Sequence, residues 1–169
     1  MVWVKTDNVN VGWLGAEYLQ SIGNFASFAF VPPESPDAIW AKQRKEGFCS
    51  ALRKKGIECQ IFPGGSLPEW LSGLKLPAAV FCAYDYRALQ VLSACMDIGL
   101  KIPSHLAILG VDNDELLCAT ASIPLSSISL DHEAFGFDMI SMLSNALRGT
   151  SIMSGNIPLK NVGIAERES

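Results

Sequence analysis

Three short, nearly unbroken apolar runs punctuate the chain, at residues 26–31, 78–83 and 106–111. Each is of strand length, and none alternates with polar residues. A strand with one face in water alternates; an unbroken run must be covered on both faces. Stretches of helical periodicity separate the runs. Strands buried on both sides and joined through helices form a parallel sheet with helices on both faces, an α/β architecture.

The links between the runs supply the helices. Asp7-Asn8 is a helix start signal, and Val11, Leu14, Gly15, Tyr18, Leu19 and Ile22 follow at helical spacing, with Gly23 as the stop. Ser35-Pro36 reads as an N-cap and first-turn proline for a helix running to about Lys55, with Gly56 as its cap. Arg53, Lys54 and Lys55 then lie in the last turn, where the helix dipole favours positive charge, so this basic run needs no phosphate partner. Residues 58–62 form the next strand candidate, residues 67–74 a short helix containing Trp70, and Asp85 opens a helix that Gly99 ends. After residue 113 the character changes. Residues 114–124 read as irregular, 125–130 as a strand, and Asp131 starts a helix with Phe135, Met139, Met142, Leu143, Ala146 and Leu147 on one face. A small-polar loop at 151–155, an extended segment at 157–164 and a polar tail at 166–169 complete the chain.

Composition excludes several classes. Hydrophobic residues make up 49% and charged residues 18% of the 169, a balance suited to a packed domain. The net charge of -4 argues against a nucleic-acid-binding face, which needs clustered Lys and Arg. Five cysteines, an odd number with no C-x-x-C pair, sit mostly in apolar runs and read as free thiols of a reducing cytoplasm. The two histidines, His105 and His132, lack a partner at ligand spacing, so no metal is expected. No signal peptide or membrane-spanning stretch is evident. There is no P-loop, no G-x-S-x-G and no G-x-G-x-x-G, so neither enzyme activity nor a cofactor is expected.

In open parallel sheets ligands bind beyond the carboxyl ends of the strands. Residues 78–83 lead into Tyr84-Asp85, and 106–111 lead into Asp112-Asn113. The run at 26–31 leads to the helix carrying Trp40 and Arg44. Carboxylates and a guanidinium form charge-assisted hydrogen bonds to adjacent hydroxyls, and an aromatic ring covers the C–H face of a sugar. Plainer roles compete for each residue. Asp85 can be a helix cap, Arg44 a solvated helix residue, Asp112-Asn113-Asp114 a turn, and Trp40 packing material.

Several segments together resemble a known family. Thr6-Asp7-Asn8 with Gly12, Ala16-Glu17 and Tyr18-Leu19 is similar to the lobe-crossing segment of lactose-repressor-type sensors. Trp40, Arg44 and Gly47-Phe48 resemble their helix with a binding arginine. Asp85, Arg87-Ala88 and Ile102-Pro103 resemble the segment before their last parallel strand. Gly110 to Leu116 with Pro124-Leu125-Ser126-Ser127-Ile128, and the ending from Val162 to Ser169, are similar to regulators of xylose operons. The resemblance implies a type I periplasmic-binding-protein-like fold, of which residues 1–169 form part of an effector-sensing domain. Residues 9–130 are its main lobe, mainly the second of two. Residues 131–147 are a helix that packs on a first lobe missing here, and 156–165 a return strand. It further implies a cytoplasmic, homodimeric transcription regulator that senses a sugar such as xylose through Arg44, Asp85 and Asp112, with Trp40, Tyr84 and Asn113 as neighbours. DNA would be contacted only through a domain outside this chain. Such sensors often carry Asn where Tyr84 stands. A periplasmic sugar-binding protein of the same fold is the alternative, though scattered odd cysteines speak against it.

Overall fold

The apolar runs pair with one another as the centre of a six-stranded sheet. The computed structural model describes residues 6–35, 37–149 and 163–169. In chain order the elements are α1 (Asn8–Ile22), β1 (Ser27–Val31), α2 (Ile39–Lys54), β2 (Cys59–Ile61), α3 (Leu67–Ser72), β3 (Ala78–Cys82) and α4 (Asp85–Asp97). Then come β4 (Leu106–Asp112), α5 (Glu115–Thr120), β5 (Ser126–Ser129), α6 (His132–Leu147) and β6 (Gly163–Ala165). The strand order is β2-β1-β3-β4-β5-β6. All neighbours are parallel except β6, which runs antiparallel to β5.

The unbroken runs are unbroken because each strand feeds two cores. Successive side chains point to opposite faces of a sheet. Phe28 and Phe30 of β1, with Ala79 and Phe81 of β3, pack under α1 and α2 against Val11, Leu19, Phe48 and Leu52. Ala29 and Val31, with Ala78, Val80 and Cys82, face α3 and α4 on the other side. This is the helix–sheet–helix sandwich the sequence predicts, and its parallel strands end together at one edge.

Two glycines bring α1 and α2 together. A Cβ on Gly12 would lie 2.0 Å from the carbonyl oxygen of Arg44, and one on Gly47 would lie 1.9 Å from that of Val9. Backbone therefore touches backbone at this crossing. The contact places the start of α1 beside the middle of α2.

The structure corrects the sequence reading at several boundaries. The helix expected from Ser35-Pro36 starts at Ile39, with Ala38 as an N-cap that has no side-chain bond. Ser35 instead accepts from the Ala38 amide in a preceding turn, and Asp37 is paired with Lys42 at 2.9 Å. Pro36 lies outside the described residues. Gly23 ends α1 in extended backbone, leading directly towards β1. The segment 114–124 is not wholly irregular. Asp114 accepts from the Leu117 amide and caps α5. The ending 166–169 is not a loose polar tail. The Ser169 hydroxyl donates to the Ile108 carbonyl and accepts from the Ser126 amide, bridging β4 and β5. Of the expected return strand 156–165, the described part is β6; the rest, and the loop at 151–155, lie outside the described residues.

Helix α6 starts as expected, with the Asp131 side chain accepting from the Ala134 amide at 2.8 Å. None of its residues is buried. Phe137, Ile140, Leu143 and Leu147 are each more than 60% exposed.

Candidate functional site

The site is assembled where β4 stops. Asp112, its last residue, has φ +102, and Asn113 follows with φ +50. Both lie on the positive side that most side chains avoid, and Asp and Asn tolerate it better than bulkier residues. The reversed backbone turns the chain sharply at the sheet edge. The Asp112 carboxylate meets the guanidinium of Arg44 there, with Nη2 to Oδ1 at 3.4 Å.

Arg44 comes from the middle of α2 and is buried. Its Nε donates to Asn8 Oδ1 at 2.9 Å, and its Nη1 donates to the Ala83 carbonyl at 2.6 Å. Burial pushes its pKa down, and Asp112 opposes that shift. A buried charge persists only when paired and hydrogen-bonded, and these three partners meet that condition. Asn8 reaches Arg44 because of the close α1–α2 crossing. Burial also raises the Asp112 carboxyl above the usual carboxylate range, against the pull of Arg44. The side chain of Asp112 remains 43% exposed, so the pair is open to an incoming ligand.

Aromatic rings form the rim. The Trp40 ring lies 4.9 Å from the Arg44 guanidinium carbon, within cation–π range. Trp40 and Tyr84 meet edge to face with centroids 6.1 Å apart. Together with Pro33 and Glu34, the four residues Trp40, Arg44, Tyr84 and Asp112 line an open depression of about 530 Å³. That lies within the size range of small-molecule sites.

Asp85 and Asn113 occupy different places. Asp85 is not the N-cap of α4; Tyr84 holds that position. The Asp85 carboxylate reaches across to the turn after β4. It accepts from the Asp114 amide at 2.9 Å and from the Ser127 hydroxyl at 2.6 Å. It lies against Gly110, where a Cβ would come within 2.2 Å of Oδ1. Burial raises its pKa, and these two hydrogen bonds oppose the rise. Asp85 is thus a buried strut beneath the Asp112–Asn113 turn and does not line the depression. Asn113 points away as well: its Oδ1 accepts from Arg167 Nη2 at 2.9 Å.

Some participants left little trace in the sequence. Asn8 reads in the sequence as part of a helix start and of the Thr6-Asp7-Asn8 segment, with no sign of its bond to Arg44. Ser127, which also accepts from the Asn113 amide, reads in the sequence only as part of the strand at 125–130 and of the Pro124 to Ile128 resemblance. Arg87 lies in α4, and its Nε donates to the Pro32 carbonyl, bracing the loop that carries Pro33 and Glu34. Arg167, from the expected tail, bonds to the Leu125 carbonyl as well as to Asn113. Nothing about these positions alone distinguishes them; only the fold brings them to the turn. Among the described residues, no three His, Cys, Asp or Glu side chains gather as a metal site needs.

The doubly covered parallel sheet thus carries a guanidinium–carboxylate pair and aromatic rings at its carboxyl edge, beside an open depression. The chain belongs to the periplasmic binding protein-like domain family, whose model matches residues 16–169. It is 23% identical over 99% of its length to the xylose operon regulatory protein of Haemophilus influenzae and covers 46% of that protein. It is 29% identical over 90% of its length to the HTH-type transcriptional repressor CytR of Escherichia coli K12, covering 47% of it. Among solved structures, a xylose-binding transcription activator, xylR, matches all of this chain and 48% of its own with a TM-score of 0.85 at 23% identity. The chain therefore spans about half the length of the curated relatives it matches.

Proposed function

We propose that this chain is one wall of a sugar sensor in a bacterial transcription regulator, with a pentose such as xylose as the effector. The observation that carries the reading is the buried Arg44, paired with the half-open Asp112 beside the exposed Trp40 and the half-buried Tyr84. Guanidinium and carboxylate offer donors and acceptors to neighbouring hydroxyls, while the rings offer apolar faces to C–H groups. The names of the relatives support a sugar and a role in transcription. In this reading Asp85 and Asn113 act by fixing the turn that presents Asp112.

The remaining parts of the proposal concern the parent molecule. Residues 9–130 are the main lobe, and α6 covers its exposed apolar face with the other lobe of the sensor. DNA contact belongs to a separate domain. Pairing of two such chains suits a regulator that reads two-fold DNA sites, and a DNA-directed role places the protein in the cytoplasm. Among the described residues, no helix is long and apolar enough to cross a membrane.

Calorimetric titration of the two-lobe parent with xylose, ribose and arabinose tests the site. Asp112→Ala is expected to weaken binding of the preferred pentose at least tenfold, about 1.4 kcal/mol. Its melting temperature should also fall, because Arg44 keeps its two neutral acceptors but loses the Asp112 carboxylate, so binding is compared at a temperature where both proteins stay folded. Unchanged binding in that variant would remove Asp112 from the site.

A further inference from the structure

A second feature lies away from the sugar site, between α2 and the edge strand β2. Cys49 of α2 and Cys59 of β2 place their Sγ atoms 2.7 Å apart. Both thiols are only half-buried and line a cleft of about 820 Å³ whose walls carry Lys42, Lys45 and Arg53. The other three cysteines, Cys82, Cys95 and Cys118, are buried. We propose that Cys49 and Cys59 are a redox modification site, converted reversibly into a disulfide that ties α2 to β2.

The surroundings suit the chemistry. The thiolate is the attacking species in thiol–disulfide exchange. The Cys59 thiol beside Cys49, and then the positive charges of Lys45 and Arg53, hold Cys49 below the ordinary thiol range against the effect of burial. Cys59, the resolving thiol, is held above it while Cys49 is a free thiol, chiefly by its contact with Cys49 and by burial. Burial pushes Cys95 and Cys118 up to about 12, and Cys82 higher still, so these three are poor competitors.

The step balances with a low-molecular-weight disulfide such as oxidised glutathione. The Cys49 thiolate attacks one of its sulfurs, forming a mixed disulfide and releasing one glutathione thiolate. Cys59 gives up its proton to solvent, and its sulfur attacks Cys49 Sγ and displaces the second glutathione. Two protein thiols lose two electrons, and the small disulfide gains them. The consequence is mechanical. Helix α2 carries Trp40 and Arg44, and the new bond anchors it, through Cys49, to the sheet edge.

Equilibrating the full chain in buffers of rising oxidised-to-reduced glutathione ratio tests this. After acid quenching and alkylation, peptide mapping should find Cys49 linked to Cys59, and dithiothreitol should reverse the link. Cys59→Ser should instead trap Cys49 as the glutathione mixed disulfide. Cys49 remaining freely alkylated across the series, stalling as the mixed disulfide in the wild-type chain, or pairing with Cys82, Cys95 or Cys118 would each overturn the proposal.

Discussion

Asp85 shows how one buried carboxylate sets the geometry of another. It accepts from the Asp114 amide and the Ser127 hydroxyl, and so fixes the turn on which Asp112 stands. Asp85→Ala leaves both donors inside the protein without their acceptor and should cost about 2–3 kcal/mol by urea unfolding. Asp85→Asn keeps an acceptor for the Asp114 amide and offers an N–H to Ser127, so it should cost much less. The two differ further in pH dependence. Burial raises the folded-state pKa of Asp85 above its ordinary 3.8. The folded state then holds the proton more tightly than the unfolded state does. The contribution to stability is fully present below about pH 3.8 and is lost as pH rises through the raised folded value. The stability difference between wild type and Asp85→Asn should therefore shift against the wild type over that window. Parallel pH profiles would refute the assignment of the shift to Asp85.

The α1–α2 crossing governs whether Asn8 can reach Arg44. Gly47→Ala would place a methyl group 1.9 Å from the Val9 carbonyl oxygen, so the helices must part. Expected losses are at least about 2 kcal/mol in stability, from overpacking against backbone, together with weaker sugar binding by the parent. Gly136, in the exposed helix α6, is the contrast. A Cβ there meets nothing within 4 Å, and Gly136→Ala should stabilise by about 0.5–1 kcal/mol through helix propensity. Thermal melts of the two variants should move in opposite directions. The same elements show what could be read from sequence. Strands β1, β3 and β4 were legible because burial on both faces removes alternation, and α6 because Asp131 caps a long apolar periodicity. Helix α5 is only six residues long, too short for periodicity to outweigh its turn-forming flanks. The N-terminus of α2 moved because Asp37 pairs with Lys42 and Ser35 closes a turn. Strand ends placed Asp112 at the sheet edge, but the reach of Asp85 across to β5 depends on Gly110 and Ser127, a long-range packing relation with no local signature.

At the scale of the molecule, the proposed sugar site and α6 make the same demand for a second wall. The depression is open, and a small ligand site normally encloses 70–90% of its ligand. A pentose resting on Arg44, Asp112 and Trp40 alone would leave much of its surface in water. This chain by itself should therefore bind the preferred pentose at least about 100-fold more weakly than the two-lobe parent, or about 2.7 kcal/mol, measured by calorimetry under one set of conditions. Helix α6 separates the contribution of the proposed second wall from any defect in the site. Ile140 and Leu143 are 70% and 61% exposed in this chain. Changing both to Gln should alter its stability by no more than about 0.5 kcal/mol, as exposed substitutions do. In the parent, where the proposed first lobe covers the same face, the double change should cost about 2 kcal/mol or more in lost apolar burial. Equal effects in the two proteins would show that α6 stays uncovered in the parent. The second wall would then have to reach the sugar by another route.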